Sequence, residues 1–416
     1  MVKNHCQALK IAFHTLGCKL NYAETSTYER RFREEGLEVV PWCSPDADYY
    51  LINTCTVTEH SNQKARGVIR RAHRSNPDAS IIVTGCYAQM RPEEIAAIEG
   101  VKYVFSAAEK SVLVDRVLGK EGKAQDILPA YSSGERTRSF LKVQDGCNNY
   151  CAYYTVPFAR GNSRNIPVCE AVRQAREIAS QGIREIVLTG VNTGDFGRST
   201  GESFLSLLKS LDEVEGIERY RISSIEPNLI TEDIVDWIAS GTKFQPHFHI
   251  PLQTGCDELL KQMGRKYDTG FFADRIAYIR SAMEGPGKPK VFFGIDTMVG
   301  LPGETEEMFA RTCEFIKGIK PAFIHIFPYS RRPGTRADKM PGHLPERIKT
   351  ERVAVLEGLC GELNGAFVDA HKGMKAKVLF ESRDREGTMS GYTENYIRVT
   401  RPYDKTLVGQ ITEVTL

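Results

Sequence analysis

IAFHTLGC, residues 11–18, is an apolar, β-branched run that stops at a turn and a cysteine. The chain repeats that shape in YYLINTC (49–55) and SIIVTGC (80–86). Stretches of helical character lie between them, at roughly 23–36 and 62–75. Strand, helix, strand, helix, strand predicts a parallel sheet with crossover connections. In such sheets ligands bind outside the carboxyl ends of the strands. Cys18, Cys55 and Cys86 are therefore expected at one edge, although 37 and 31 residues separate them. A lone cysteine is usually a small buried hydrophobe, and that reading holds for Cys6, Cys43, Cys169, Cys256, Cys313 and Cys360. The same strand-end position three times over is hard to obtain from packing alone. Soft thiolates select iron–sulfur clusters or zinc, and three ligands leave one coordination position open. Zinc completed by His14 or His60 stands as the alternative.

The helix after Cys55 carries Lys64, Arg66, Arg70, Arg71 and Arg74, with no acid from Ser61 to Asn76. A charge run is commonly a solvated face. Beside a metal-bearing edge it also fits a phosphate backbone, which makes Lys64, Arg70 and Arg71 candidate RNA contacts. The net charge is only +2, so nucleic-acid binding must use such local patches.

The bulk composition agrees with a cytoplasmic protein of several domains. Its 416 residues are 41% hydrophobic and 26% charged. No apolar run approaches the roughly 18 residues of a spanning helix, so no membrane partner is expected. MVKNHCQALKIAF has no long apolar core before a small-residue cleavage site, unlike a secretory signal. Eleven cysteines are too few, over this length, for a disulfide scaffold.

Periodicity fades over about 108–136, where Gly, Lys, Ser and Glu dominate, and a domain boundary is expected there. FLKVQDGC (140–147) then reads as a strand running into the loop CNNYCAYY. Helix and strand signals alternate from there to AFIHIFPYS, giving six strands and a partial parallel (β/α)6 barrel or strongly curved sheet. Function in such folds sits at the strand carboxyl ends. The glycine-containing turns TGVNTG (189–194), QTG (253–255) and VGLPGET (299–305) fall on that rim. Together they favour a nucleotide-like cofactor, with Tyr153, Gly190, Asn192, Glu226, Gln253, Asp296 and Gly300 as candidate contacts. Ordinary turn formation and strand-end capping would explain any one of them.

From about Gly373 strand signals take over, in KAKVLFES, GTMSGYTENYIRVTR and LVGQITEVTL. Short strands with polar turns predict a small antiparallel barrel. Such barrels bind nucleic acid through aromatic and basic side chains; Tyr392, Tyr396 and Arg398 fit, with Arg383 and Arg385 in the adjacent loop. An aromatic-packed core accounts for Tyr396 equally well. The expected domains are an α/β cluster domain at 1–120, a barrel at 134–362 and a β-barrel at 366–416.

Taken together, these segments resemble the methylthiotransferase family of radical S-adenosylmethionine (SAM) enzymes along nearly the whole chain. TLGCKLN, INTCTVT and VTGCYAQ are similar to the N-terminal cluster motifs, and RSFLKVQDGCNNYCAYYTVPFARG to the radical SAM loop. SSIEP, HIPLQTG and VGLPGETEE resemble barrel motifs, and GYTENYIRV with LVGQITEV resembles the RNA-binding TRAM domain. TLGCKLN and YTENYIRV lie nearest the bacterial branch acting on N6-threonylcarbamoyladenosine in tRNA. The branches acting on isopentenyladenosine or a ribosomal-protein aspartate fit less well, and NYAET (21–25) departs slightly from the branch pattern.

The resemblance implies two 4Fe–4S clusters, one on Cys18, Cys55 and Cys86 and one on Cys147, Cys151 and a third loop position. It implies SAM at the candidate contacts named above. It further implies the anticodon stem-loop of tRNA as partner and flavodoxin or ferredoxin as electron donor. The implied reaction makes a 5′-deoxyadenosyl radical, removes hydrogen from carbon 2 of adenine at tRNA position 37, and adds a methylated sulfur there.

The radical SAM loop runs C-x3-C-x2-C, and here its last position is Tyr154. A phenol oxygen is hard and loses its proton only near pH ~10, whereas the cluster requires a soft thiolate. Three readings stand: a substitution that cripples the radical step in an otherwise functional family member, a cluster completed by Tyr154, water or another ligand, and a non-catalytic tRNA-binding homologue. Cys169, 15 residues on, is a poor substitute at the start of the next helix.

Overall fold

The computed structural model describes residues 8–56, 58–134, 137–381 and 386–416. Arg383 and Arg385 lie outside the described residues. The chain divides into two compact units, one of residues 1–133, 140–148 and 155–166 and one of residues 134–139, 149–154 and 167–416. No helix among the described residues is long and apolar enough to cross a membrane.

The first unit is the expected parallel α/β sheet. Its elements are β1 (Lys10–Thr15), α1 (Lys19–Glu34), β2 (Glu38–Val39), β3 (Tyr49–Thr54), α2 (Glu59–Ser75), β4 (Ser80–Gly85), α3 (Cys86–Met90) and β5 (Val101–Val104). They form a sheet of order β2-β1-β3-β4-β5 with parallel pairing throughout. Ile52, Ile81 and Val83 bury one face with Ala65, Ile69 and Ala72 of α2. Ile11, Leu51 and Ile82 bury the other with Ala23, Tyr28 and Phe32 of α1. A sheet covered on both faces explains why the strands read as continuous apolar runs. Both helices begin earlier than the periodicity indicated, because α1 starts directly after Cys18 and Thr58 caps α2 by accepting from Ser61 N.

The second unit holds β6 (Glu185–Thr189), β7 (Arg219–Ile222), β8 (His247–Gln253), β9 (Phe292–Val299) and β10 (Phe323–Pro328). These are five of the six barrel strands expected; the sixth, Arg138–Lys142, is where the chain passes from this unit to the first. β6 pairs parallel with β7, and β8-β9-β10 form a parallel sheet. β7 approaches the segment entering β8 through the Tyr220–Phe244 bridge.

The end of the chain forms an antiparallel sheet of β11 (Lys375–Phe380), β12 (Thr388–Tyr392), β13 (Arg398–Pro402) and β14 (Ile411–Thr415) in the order β13-β12-β11-β14. Val378, Phe380 and Met389 make its core. The sheet packs within the second unit through two buried arginines of β7. Arg219 donates to the carbonyls of Tyr392 and Lys377, and Arg221 to those of Thr393 and Glu394. Glu185 neutralises Arg221 through a two-pronged pair at 3.0 and 3.3 Å.

Candidate functional site

Cys18, Cys55 and Cys86 each follow the carboxyl end of one of three neighbouring strands, β1, β3 and β4. Two of them are preceded by glycines that the packing requires. Gly17 has φ +103°, and a Cβ there would come within 2.7 Å of Cys55 Cβ. Gly85 has φ +98°, and its Cβ would lie 2.3 Å from the Thr54 carbonyl. Only glycine lets these turns close, which gives the GC pairs of TLGC and VTGC a steric cause.

Asn21 then ties the turns together. Its Nδ2 donates to Leu16 O at 2.8 Å and Thr54 O at 3.0 Å, and its backbone oxygen accepts from Asn53 Nδ2 at 3.1 Å. Thr54 Oγ1 donates to Thr84 O at 2.6 Å, joining the ends of β3 and β4. Cys18 is the N-cap of α1, but its sulfur does not cap the helix backbone; it donates to Asn21 Oδ1 at 4.0 Å.

A buried charge network lies behind these turns. Glu24 accepts from Lys110 and Lys142, each at 2.7 Å, and Asp145 from Arg160 at 2.9 Å. Lys142 also pairs with Asp145 at 2.7 Å, and Arg160 with Glu24 at 3.3 Å. Burial pushes the Glu24 carboxyl up, but Lys110, Lys142 and Arg160 outweigh it and hold Glu24 below the ordinary carboxylate range. Burial likewise opposes the charge on Asp145, which Arg160 and Lys142 keep well below the usual value. The remaining guanidinium nitrogen of Arg160 donates to Asn21 Oδ1. Burial disfavours the Arg160 charge; Asp145 first, then Cys86, Glu24 and Cys18, more than restore it. Three thiols on three strand ends, with a fixed cation nearby to offset thiolate charge, fit a cluster held by three cysteines. No group of Cys18, Cys55 or Cys86 with His14 or His60 is close enough for a single ion among the described residues. His14 instead packs on Trp42, with ring centroids 4.6 Å apart.

The loop cysteines differ. Cys147 is buried in the first unit, where its N–H donates to Gly161 O at 3.1 Å. Cys151 is buried in the second, where its sulfur accepts from Arg265 Nη1 at 3.3 Å. Arg265 pairs with Glu226 at 3.1 Å, and the other oxygen of Glu226 accepts from Asn149 Nδ2 at 3.0 Å. Burial alone would weaken the Arg265 charge, but Tyr267, Tyr153, Glu226 and Cys151 outweigh it. Burial also drives the Tyr153 phenol well above its usual value, keeping it neutral. Tyr154 is half-buried beside it, with ring centroids 6.0 Å apart. Within the second unit the loop thus offers the Cys151 thiol and, at the position where the pattern expects a third cysteine, a phenol. Cys169 is exposed in the first turn of the helix Val168–Ser180.

The other candidate cofactor contacts lie in the second unit but are not all free to receive a ligand. Asn192 Oδ1 accepts from Glu226 N at 3.3 Å, linking the turns after β6 and β7. Gly190 follows β6 and is half-buried. Gln253 ends β8 after a register shift, in the left-handed region at φ +73°. A non-glycine residue held there costs on the order of 1–3 kcal/mol and marks a constrained position. Asp296 Oδ1 accepts from the N–H of His249 Nε2 at 2.7 Å. Gly300 has an internal use, since a Cβ there would meet Lys349 Cγ at 2.5 Å.

Lys64, Arg70 and Arg71 are exposed on α2, whereas Arg66 is engaged by Glu59 and Glu94. Tyr392 and Tyr396 stack on each other at 4.6 Å, and Tyr396 also packs on His247 at 4.7 Å. The guanidinium groups of Arg138 and Arg221 sit over the Tyr396 ring. Tyr396 therefore packs within the second unit while remaining half-buried. Arg398 is exposed and donates to Ser390 Oγ.

Residues 10–106 match the uncharacterized protein family UPF0004, and residues 141–316 the radical SAM superfamily. The chain is 39% identical to the threonylcarbamoyladenosine tRNA methylthiotransferase MtaB of Bacillus subtilis, over 98% of this chain and 93% of that protein. It is 36% identical to the protein of the same name from Aquifex aeolicus, covering 98% of this chain and all of the relative. It belongs to the radical SAM methylthiotransferase family. Among solved structures, the radical SAM methyltransferase TsrM of Kitasatospora setae has the same fold at 14% identity, with a TM-score of 0.58 over 92% of this chain and 81% of that one.

The family's cofactors are two four-iron clusters and SAM. In this methylthiotransferase the three thiols of the first unit fit a four-iron cluster. Arg160, Glu24, Asn149, Arg265 and Tyr267 were not singled out from the sequence. The only local signal was the charge of PFARG (157–161) and GRKYD (264–268), which does not say where those side chains reach.

Proposed function

We propose that the chain adds a methylthio group to carbon 2 of N6-threonylcarbamoyladenosine at position 37 of tRNA. The partner is the anticodon stem-loop, electrons come from a flavodoxin- or ferredoxin-type donor, and the reaction is cytoplasmic. The observation that carries this reading is the three-thiol edge of the first unit, in a chain similar over 98% of its length to a relative named for that reaction. When bound, the clusters and SAM supply one-electron cleavage, hydrogen abstraction and sulfur delivery.

The chain's own residues position and insulate. Gly17 and Gly85 allow the thiol-bearing turns to pack, and Asn21 holds those turns in register. Arg160 places a buried, fixed positive charge behind the Cys18 and Cys86 turns. Arg265 does the same for Cys151, itself held by Glu226 and Tyr267. Tyr153, kept neutral, packs beside them as a half-buried apolar ring. Lys64, Arg70 and Arg71 offer exposed charge to tRNA phosphates. The domains at 1–120, 134–362 and 366–416 divide these tasks into cluster, SAM and RNA functions.

Tyr154 favours one second reading, a tRNA-binding homologue that no longer turns over. Expression in a bacterium lacking its own enzyme, followed by mass spectrometry of tRNA nucleosides, separates the two. Methylthiolated threonylcarbamoyladenosine from the unaltered chain, rising in the Tyr154→Cys variant, supports the proposal. Tight tRNA binding with no product from either supports the homologue. Methylthiolated isopentenyladenosine would move the chain to another branch.

A further inference from the structure

The three strands β8, β9 and β10 carry a second set of metal-ligand side chains, remote in type from the cysteines. Parallel register places Gly294 opposite His249 and Phe323, and Asp296 opposite Pro251 and His325. Side chains alternate between faces along a strand. Phe248, Ile250, Leu252, Ile295 and Ile324 are buried on one face. His249, Asp296 and His325 share the opposite one.

On that face the groups converge. His249 Nε2 and Asp296 Oδ1 are 2.7 Å apart, and the two imidazole centroids 4.9 Å apart. One ligand atom from each of the three residues can be chosen so that all lie within 4.8 Å of one another. Gly294, level with His249 on the central strand, adds no side chain to this face. The His249 and Asp296 side chains are each 19% exposed and His325 is exposed, so one side of the group is open.

The geometry points to a binding site for a divalent transition-metal ion, held by His249, Asp296 and His325 with further positions open to water or an oxygen ligand. Two imidazoles and one carboxylate suit zinc or ferrous iron, and suit magnesium or calcium poorly. All three ligands stand on paired strands rather than loops, which holds their spacing before an ion arrives. The bland reading is a histidine–aspartate hydrogen bond with a second histidine nearby. It predicts no metal retention. The site shares Asp296 with the expected SAM contacts but uses neither the thiols nor tRNA, so zinc retention is read separately from turnover.

The test uses the full chain with its clusters reconstituted, cleared of loose metal by a chelator, then given zinc and desalted. Expected is about one retained zinc per chain, with a first shell of nitrogen and oxygen including imidazole by zinc X-ray absorption. His325→Ala and Asp296→Asn should each lower zinc affinity by about ten-fold or more at unchanged iron content. His325 is exposed, so its removal leaves the core intact. Two results would overturn the assignment. One is no retained zinc. The other is a sulfur-containing shell indifferent to His325→Ala, which would place the ion on cysteines.

Discussion

The two cysteine regions of this molecule differ less in their thiols than in what surrounds them. Around Cys18, Cys55 and Cys86 the support is over-determined: two glycines that tolerate no side chain, an asparagine bonded to two turns, and a buried network of two carboxylates and three cations. Around Cys151 the support is equally deliberate, with Arg265, Glu226, Asn149 and Tyr267 in one bonded chain. Only the third donor of that second loop is unsuited, because Tyr154 offers oxygen where sulfur is needed. A site can thus keep its whole scaffold while losing one ligand. The scaffold reports what a site is built to hold, and the donor set whether this copy can hold it.

The comparison breaks most completely at the first site. Cys86→Ser removes one of three thiolates there, and iron in reconstituted protein should fall from about four per chain to near zero. Retention of the full iron complement would mean that the N-terminal thiols are not the principal cluster ligands.

Removing a charge from the network should show next. Glu24→Gln leaves Lys110 and Lys142 buried without their shared carboxylate, a loss of about 3–5 kcal/mol in denaturant unfolding. The native pKa of Glu24 is depressed, so its stabilisation is fully present above the unfolded value near ~4.3 and is lost as pH falls through the native one. The gap between wild type and Glu24→Gln should therefore be constant from neutral pH down to about 5 and narrow below about 4. A gap that widens on acidification would contradict the sign.

The smallest of these effects concerns α2. Replacing Lys64, Arg70 and Arg71 together by alanine should weaken tRNA binding and reduce the salt-dependence slope by about 2–3. Equal slopes for the two proteins would remove α2 from the RNA interface.

Much of this was legible in the chain because it rests on local pattern. Three apolar runs ending in cysteine gave the parallel sheet and its thiol edge, and alternating strands and helices gave the barrel. What escaped depends on contacts that cross long stretches of sequence. Arg160 reaches Glu24 across 136 residues, and Arg265 reaches Cys151 across 114. The aromatic and basic side chains around Tyr396 allowed either an RNA contact or a packed core, and His247, which packs against it from 149 residues earlier, could not be read from its neighbours. Likewise the turn at Gly300 gave no sign that Lys349, 49 residues on, occupies the space a side chain there would fill. Sequence carries the residue types of such sites more readily than their partners.

The central claim is that Tyr154 interrupts one site and leaves the rest intact. Iron quantitation after anaerobic reconstitution, on the unaltered chain and Tyr154→Cys side by side, addresses it directly. About four irons per chain rising towards eight in the variant, accompanied by reductant-driven 5′-deoxyadenosine release, is the predicted result. Eight irons in the unaltered chain, or no gain in the variant, would contradict it.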